Sequence, residues 1–313
     1  MTFYEETNPK DISVSQILTK IHDFLPEVTK NDLRFIYHGT YNVFEVKNRY
    51  ILRIPDKSLR NERGVSLLIR EEKILNFLKA NLSLPIPKPI YVNLGSNLPF
   101  MIYEKLSGLS LSRCITRIDN NCLMKIARGI GNFLSHLHSV KLAEEYSKTL
   151  DIQITDFNFI YQKTWEKEFQ EVQEYVMVYI NRDQREWIES LYTDYLSKIR
   201  DYSIDPVLIH GDFDTSNILV YSDLCDLSGI IDFEDSRLFD PAADFLFYRE
   251  GSLFLKQILY TYKGRIDETF QDRMKFLFSR NCLPYIIYGA KYDNSSLIEA
   301  GKELLSDRIT RFP

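Results

Sequence analysis

Hydrophobic and polar positions alternate in short runs over the first hundred residues, a pattern typical of β-strands. Five such runs predict strands, at Leu33–Tyr37, Asn42–Val46, Tyr50–Ile54, Ile90–Val92 and Phe100–Tyr103. Between the third and fourth, the apolar spacing becomes helical, with one face running from Leu67 to Leu78 and carrying Glu71. Proline-rich Leu84–Ile90 interrupts both patterns and predicts a connector. The first part of the chain is therefore expected to be strands around one helix.

Beyond Gly108 the spacing is mostly helical. Three stretches carry this pattern, at Leu123–Leu137, Tyr161–Ile199 and Ser252–Arg308, and a compact β-containing insert is predicted at Val207–Phe233. A chain of 313 residues exceeds what one hydrophobic core usually organises. The prediction is an α+β protein with a β-rich N-terminal lobe, residues 1–106, and a larger, mostly helical C-terminal lobe, residues 107–313.

Composition narrows the classes of partner. The net charge is −5, from 39 basic and 44 acidic residues, whereas a nucleic-acid-binding protein normally carries a basic patch. No apolar run approaches the ~20 residues that span a bilayer, and the N-terminus lacks a signal-peptide layout. We therefore expect a cytoplasmic protein that binds neither nucleic acid nor membrane. The four cysteines show no metal-ligand spacing, which favours reduced structural thiols.

The informative segment is VLIHGDFDTSNILV, residues 207–220, followed by GIIDFED, residues 229–235. Each half is an apolar strand that ends in a carboxylate, Asp212 in the first and Asp232 in the second, and Asn217 lies five positions after Asp212. Phosphoryl transfer needs a carboxylate to accept the proton of the attacking hydroxyl and oxygen ligands for Mg²⁺. Asp212 suits the role of base, and Asn217 and Asp232 suit that of metal ligands.

HGDFDTSNIL and GIIDFED resemble the catalytic and metal-binding segments of the aminoglycoside phosphotransferase family, relatives of protein kinases. The likeness continues through FDPAADF, residues 239–245. The late motif Tyr288-Gly-x-x-Tyr292 resembles one found in the family members that modify the 2″-hydroxyl of aminoglycosides. The likeness as a whole spans residues 35–305. The resemblance implies a bilobal protein-kinase-like fold and transfer of the γ-phosphate of ATP or GTP to a hydroxyl of an aminoglycoside antibiotic.

The resemblance also implies a nucleotide site. Arg53 stands where the family has Lys or Arg, and we expect it to grip the phosphates while Glu71 holds it, because an unpaired carboxylate on an apolar helix face is costly. The loop over the phosphates contains one glycine, Gly39, where a Gly-rich run is usual. The residues expected to contact the base are Tyr103, Glu104 and Leu106. By resemblance, Tyr103 aligns with the position that guards the inner base pocket, where a bulky side chain is compatible with a preference for guanine, and both ATP and GTP stay open as donors.

The acceptor side is less regular. An acidic cluster is expected after Phe245 by resemblance, but the chain reads LFYREG, with one Glu beside an Arg. Glu234 replaces a glycine of the family's D-F-G-D run. The candidate contacts to a cationic aminosugar are Asp214, Glu234, Asp235, Glu250, Tyr285 and Tyr292.

Two alternatives remain open on the sequence. The thinned acidic cluster is compatible with another acceptor, such as a macrolide, an amino alcohol or an unknown metabolite. The reduced glycine loop and Glu234 are compatible with a nucleotide-binding pseudoenzyme. A protein kinase is disfavoured, because the stretch from Asp232 to Asp244 is too short for a peptide-docking activation segment.

Overall fold

The structure is a computed structural model that describes residues 12–95 and 98–312. The chain forms two compact units, each built from two stretches. The first unit comprises residues up to His136 together with His210–Ser236, and the second comprises Leu137–Ile209 and Arg237 onwards. The predicted boundary between a nucleotide-binding lobe, residues 1–106, and a catalytic and acceptor-binding lobe, residues 107–313, stays a prediction.

The first unit contains a five-stranded antiparallel sheet. Its strands are β1 (Leu33–His38), β2 (Tyr41–Val46), β3 (Tyr50–Pro55), β4 (Pro89–Asn93) and β5 (Phe100–Glu104), in the order β1-β2-β3-β5-β4. Every strand predicted in this region is confirmed to within about two residues at each end. One face of the sheet buries Phe44, Leu52 and Ile102 against a helix, α1 (Val14–Ile21). Helix α1 was not predicted, although Ser13 and Gln16 form a capping box at its start.

The predicted long helix of this region is confirmed as α2 (Glu62–Asn81). Asn61 caps it by accepting a hydrogen bond from the backbone N–H of Arg63. The apolar stripe is buried as expected, and Glu71 lies in it with 1% of its surface exposed. The helix therefore carries one carboxylate into a dry environment.

A second, smaller sheet completes the first unit. Its strands are β6 (Leu109–Ser110), β8 (Ile218–Val220) and β9 (Leu227–Ile230), in the order β6-β8-β9, and the helices α3 (Leu111–Cys114) and α4 (Asn120–Leu137) lie between β6 and β8 in sequence. The pairing is antiparallel, with Ile218 opposite Ile230. The predicted β-containing insert is thus a hairpin, β8–β9, and the predicted amphipathic helix is α4.

The second unit is mostly helical. Its elements are α5 (Val140–Leu150), α6 (Phe157–Tyr175), α7 (Arg182–Lys198), β7 (Val207–Ile209), β10 (Arg237–Phe239), α8 (Ser252–Thr261), α9 (Phe270–Arg280), α10 (Leu283–Lys291) and α11 (Ser295–Arg311). Buried Arg273 pairs with Asp240 at 2.9 Å and with Asp267 at 2.9 Å. Both helical regions predicted here are confirmed, whereas α5 and the pairing of β7 with β10 were not predicted.

The predicted fold class is confirmed: a mixed α+β chain with an antiparallel sheet in its N-terminal part and mostly helices in its C-terminal part. Across residues 12–95 and 98–312, no helix combines the length and apolar character needed to cross a membrane.

The cysteine prediction was wrong for one pair. Cys122, in the first turns of α4, and Cys225, in the β8–β9 turn, are joined by a disulfide although they lie 103 positions apart. Cys114 and Cys282 are free and buried, as expected of structural thiols. The spacing rule failed because it reads neighbours in sequence, whereas the fold brings these two Cα atoms within 4.5 Å.

The disulfide predicts a thiol count. Denatured protein purified without reductant should show two reactive thiols per chain, from Cys114 and Cys282, and four after reduction. Because the bond closes a loop of 103 residues, Cys122→Ser should lower the free energy of unfolding by about 2–5 kcal/mol. Urea denaturation with and without reductant measures this effect. Four thiols before reduction would contradict the pairing.

Candidate active site

The loop after β7 is braced by His210, which is fully buried. Its Nε2 donates to the backbone carbonyl of Ile231 at 2.9 Å. Nδ1 then accepts from the backbone N–H of Asp212 at 3.4 Å. The predicted bracing role of His210 is confirmed, since the imidazole ties the Asp212 loop to the end of β9.

Gly211 makes this loop possible. Its φ of +89° lies in the region that side chains disfavour. A Cβ atom at this position would lie 2.4 Å from the backbone oxygen of Asp235. Only a glycine lets the two segments approach this closely.

Asn217 orients Asp212. The amide Nδ2 of Asn217 donates to the backbone oxygen of Asp212 at 2.8 Å and to its carboxylate Oδ2 at 3.2 Å. The backbone oxygen of Asn217 also accepts from the N–H of Ile231 at 3.0 Å. Asn217 thus holds the Asp212 carboxylate through its side chain. Through its backbone oxygen it holds Ile231, the residue before Asp232.

Asp232 follows β9 in a left-handed conformation, with φ of +69°. Aspartate tolerates this region better than most residues, and such conformations are typical of functional positions. The turn directs its carboxylate towards β3, where Oδ1 accepts from Nη2 of Arg53 at 3.0 Å. The hairpin and the five-stranded sheet therefore meet at this ion pair.

Arg53 is the cation on which the site converges. It lies on β3, 2% exposed, with its guanidinium 4.1 Å from the ring centroid of Tyr41. Nη1 donates to Glu71 of α2 at 2.5 Å, which is the predicted pair. Nη2 donates both to Asp232 and, at 2.8 Å, to Glu234. One buried cation thus faces three carboxylates.

This imbalance of charge shifts the pKa values of the cluster. Burial raises the pKa of Glu71 to about 7, although Arg53 opposes the shift. Burial also raises the pKa of Glu234 well above its ordinary value, and the neighbouring Asp232 adds to the effect. Burial alone would lower the pKa of Arg53, but the carboxylates raise it well above its ordinary value. The cluster favours additional positive charge.

The carboxyl group of Asp212 has a raised pKa of about 6. Burial is the main cause, and the nearby carboxylates of Asp214 and Asp232 contribute. A carboxylate with this pKa is ionised at pH 7 and is a stronger proton acceptor than an ordinary aspartate. It is therefore suited to general-base chemistry.

Two oxygen atoms of the site are available to a hard cation. Among the described residues, neither Oδ1 of Asn217 nor Oδ2 of Asp232 makes a hydrogen bond. Neutral amide and carboxylate oxygens are ligands that Mg²⁺ accepts together with water and phosphate oxygens. The residues thus fit a magnesium ion held jointly with a substrate. Within the described ranges no three His, Cys, Asp or Glu side chains form a metal cage by themselves.

The other predicted nucleotide residues also lie in the first unit. Gly39 forms the β1–β2 turn, where its N–H donates to the carbonyl of Tyr41 at 2.9 Å. Tyr103 is buried on β5, and burial raises the pKa of its hydroxyl above the ordinary value. Glu104 is exposed at the end of β5, and Leu106 packs on Gly229 of β9.

The predicted acceptor residues are distributed over both units. Asp214 is exposed in the first unit, where it accepts from the backbone N–H of Ser216. Asp235 lies against Gly211, and Glu234 is bound to Arg53. Three predicted residues belong to the second unit: Glu250 before α8, Tyr285 in α10, and Tyr292 at its end, 68% exposed and stacked on Tyr288. Their contact with an acceptor stays a prediction.

Sequence reasoning missed Tyr41 and the link from Arg53 to Glu234. Tyr41 belongs to the loop singled out for its single glycine, yet nothing in the pattern indicated that its ring would lie on Arg53. The hydroxyl of Tyr41, Oε2 of Glu71 and Nε of Arg53 are buried without a hydrogen-bond partner among the described residues. The cluster therefore contains one hydroxyl, one carboxylate oxygen and one N–H group that make no hydrogen bond with the described residues.

One cavity of the first unit lies away from the predicted site residues. It has a volume of about 340 Å³ and is lined by residues of α4, including Lys125 and Phe133, and by the β8–β9 turn. None of the predicted site residues lines it. The cavity is therefore not assigned to the acceptor.

Gly211 gives a test of the loop. Gly211→Ala should lower the free energy of unfolding by about 2 kcal/mol or more, because it adds a backbone clash to an unfavourable φ. Gly251→Ala is a matched control, since Gly251 has φ of +99° but open space around its Cα. Urea denaturation of both variants measures the difference. Equal losses would contradict the close approach to Asp235.

The raised pKa of Asp212 can be tested through its effect on the free energy of unfolding. Because its pKa is higher in the folded protein than in the unfolded chain, the fold loses stability as the pH rises from about 4 to about 6, and the full loss persists above pH 6. In metal-free protein, Asp212→Asn should therefore raise the free energy of unfolding at pH 8, by up to about 3 kcal/mol. The gain should disappear below about pH 4, where the carboxyl is protonated in both states.

Denaturant titrations at several pH values measure this effect. Asp223→Asn, an exposed position in the β8–β9 turn, is the control and should change stability little at any pH. A loss of stability in Asp212→Asn at pH 8 would contradict the raised pKa.

Comparison with known proteins supports the resemblance of the catalytic segments to the aminoglycoside phosphotransferase family. A sequence model of the phosphotransferase enzyme family, APH, matches residues 32–256. A structure of the GDP and kanamycin complex of APH(2″)-IIIa is similar to this chain, with a TM-score of 0.82 and 22% identity, covering 95% of this chain and 99% of that one. The streptomycin–ATP–APH(2″)-IIa ternary complex matches with a TM-score of 0.67 and 22% identity, over 94% and 97% of the two chains.

A third similar structure is APH(3″)-Id from Streptomyces rimosus in complex with ADP and streptomycin. Its TM-score is 0.58 at 16% identity, covering 85% of this chain and 97% of that one. At these identities the structures establish the fold, and the family match extends over most of the sequence. The chain belongs to the phosphotransferase enzyme family, with the kinase-like fold of aminoglycoside phosphotransferases, and is a small-molecule kinase.

Proposed function

We propose that the protein transfers the γ-phosphate of ATP or GTP to a hydroxyl group of an aminoglycoside antibiotic, with Asp212 as the base. The observation that carries this proposal is the bond from Asn217 to the Asp212 carboxylate, at 3.2 Å, beside the loop that presents Asp232. A proton acceptor and two oxygen ligands for a cation then belong to one continuous network. Phosphoryl transfer requires this combination.

In this mechanism Asp212 accepts the proton of the acceptor hydroxyl. The hydroxyl oxygen bonds to the γ-phosphorus as the bond from that phosphorus to the bridging oxygen breaks, and a nucleoside diphosphate leaves. Asn217 holds Oδ2 of Asp212 and limits the rotation of the base. The protein contributes mainly positioning and electrostatic stabilisation, as is general for this reaction.

On the donor side, Arg53 would contact the phosphates and Glu71 would hold Arg53 in place. The backbone at Gly39 would approach the phosphates, and Tyr103, Glu104 and Leu106 would contact the base. Asn217 and Asp232 would hold Mg²⁺, which when bound neutralises phosphate charge. Their unused oxygens and the excess of carboxylates around Arg53 support this assignment.

The assignment of an aminoglycoside as acceptor rests on family membership and on relatives that bind kanamycin or streptomycin. Aminoglycosides carry several ammonium groups, which carboxylates attract. The residues proposed to contact them are Asp214, Glu234, Asp235, Glu250, Tyr285 and Tyr292, in a C-terminal lobe of residues 107–313. We also propose that residues 1–106 form the nucleotide lobe and that the protein acts in the cytoplasm.

A second acceptor class is supported by one observation. The stretch Leu246–Gly251 offers a single carboxylate, Glu250, next to Arg249, which itself lies 3.8 Å from Asp307. Fewer carboxylates in this stretch favour an acceptor with fewer cationic groups, such as a macrolide or an amino alcohol. The chemistry at Asp212 would be the same.

A panel assay tests the function. Purified protein with Mg²⁺ and either ATP or GTP is offered aminoglycosides, macrolides and amino alcohols, and release of nucleoside diphosphate is measured with the mass of the product. Aminoglycosides should give a product heavier by one phosphoryl group. Turnover confined to another class would replace the aminoglycoside by that class, and absence of turnover with every acceptor would contradict the proposal.

The base assignment predicts a specific kinetic defect. Asp212→Ala should lower kcat by about 10²- to 10⁴-fold while leaving nucleotide affinity within about threefold. Steady-state kinetics and equilibrium binding of the nucleoside diphosphate measure the two quantities separately. Asp223→Ala, in the exposed β8–β9 turn, is the control for loss of a carboxylate. Lost nucleotide binding with unchanged turnover per bound complex would contradict the role.

A further inference from the structure

Glu234 occupies the same nitrogen of Arg53 as Asp232 does. Nη2 of Arg53 donates to Asp232 at 3.0 Å and to Glu234 at 2.8 Å. A guanidinium Nη atom carries two N–H groups, so these two carboxylates use both. Of the remaining donors, Nη1 is engaged with Glu71, and Nε has no partner among the described residues.

This arrangement affects how Arg53 binds a phosphate. A guanidinium binds an oxyanion most strongly through two parallel N–H groups on one edge. Each such edge includes Nη2, paired with either Nη1 or Nε. With Nη2 fully engaged, neither edge can grip a phosphate until one of the two carboxylates withdraws.

The three carboxylates differ in their freedom to withdraw. The side chain of Glu71 is 1% exposed and that of Asp232 is 8% exposed, whereas that of Glu234 is 13% exposed. Asp232 is also fixed by its left-handed backbone at the end of β9. Glu234 has one more side-chain torsion than aspartate and the greatest access to solvent. It is the carboxylate best placed to leave Arg53.

We propose that Glu234 sets the affinity for the phosphate donor by occupying Arg53 when no donor is bound and yielding Nη2 to the donor phosphates. The proposal rests on the proposed function, since it assumes that Arg53 contacts those phosphates. Glu234 is then a positioning residue that competes with the substrate. The apparent affinity for the donor then equals the intrinsic affinity multiplied by the fraction of molecules in which Glu234 has left Arg53.

The competition should be most visible without divalent cation. When Mg²⁺ accompanies the nucleotide, positive charge near Asp232 offsets part of the repulsion from the neighbouring carboxylates. When the cation is removed with EDTA, the phosphates must compete with Glu234 directly. A role for Glu234 as a metal ligand gives the opposite result, because its loss would then weaken binding only when Mg²⁺ is present.

The experiment is equilibrium binding of ADP and GDP by isothermal titration calorimetry, in EDTA and in Mg²⁺. The variants are Glu234→Gln, which keeps the shape and removes the charge, and Glu234→Gly, which removes the side chain. In EDTA both should bind diphosphate about tenfold more tightly than wild type, a gain equal to one charge-assisted hydrogen bond released from competition. Thermal denaturation verifies that each variant is folded.

Asp226→Asn is the matched control, because it removes a carboxylate of the same unit that is paired with Lys125 at 2.7 Å, away from Arg53. Its diphosphate affinity should stay within about twofold of wild type. Glu234→Asp keeps the charge but shortens the reach, so an affinity between those of wild type and Glu234→Gln supports direct competition. Wild-type affinity in Glu234→Asp together with tighter binding in Glu234→Gln would assign the effect to bulk charge and overturn the proposal.

The remaining outcomes separate this inference from the proposed function. Unchanged or weaker binding by Glu234→Gln in EDTA overturns the inference, while binding of nucleotide by the wild type with Mg²⁺ keeps the proposed function intact. Weaker binding by Glu234→Gln in Mg²⁺ alone assigns Glu234 to the metal and also overturns it. If the wild type binds neither nucleotide with Mg²⁺, the proposed function fails, and the inference fails with it.

Discussion

The ion pairs of Arg53 are the interaction on which the rest of the site depends. They join three parts of the chain, β3 through Arg53, α2 through Glu71, and the segment after β9 through Asp232 and Glu234. A buried cation without partners would be strongly unfavourable, and so would any of these carboxylates alone. The cluster therefore fixes the sheet, the helix and the hairpin relative to one another within the first unit.

Backbone hydrogen bonds and turns position two carboxylates of the site, those of Asp212 and Asp232. The antiparallel pairing of β8 with β9 and the hydrogen bond from the N–H of Ile231 to the backbone oxygen of Asn217 place the residue before β8 next to the residue after β9. The turn at Gly211 and the left-handed Asp232 then direct two carboxylates away from the strands that carry them. Strained positions of this kind are stable only when the surroundings hold them, and His210 supplies part of that restraint.

Much of this arrangement was predictable from sequence. The strands, the helix carrying Glu71 and the grouping of Asp212 with Asn217 follow from apolar periodicity and from polar residues at strand ends. The Arg53–Glu71 pair followed from a carboxylate on an apolar helix face. Other features could not be predicted, because they depend on contacts between segments far apart in sequence. These are the disulfide between Cys122 and Cys225, the ring of Tyr41 on Arg53, and the engagement of Nη2 by Glu234. Helix α1 was missed because eight residues give only two turns of periodicity.

The split composition of the first unit has a consequence for its synthesis. Residues 210–236 return to this unit only after the whole of 137–209 has been made, and β6 finds its partner β8 more than a hundred positions later. Closing so long a loop is entropically costly and slows folding. A nascent chain on the ribosome can complete the five-stranded sheet early, but Arg53 and Glu71 then wait for Asp232 and Glu234. Until those residues emerge, the buried pair lacks part of its surroundings, and translation past residue 236 becomes a condition for catalytic competence.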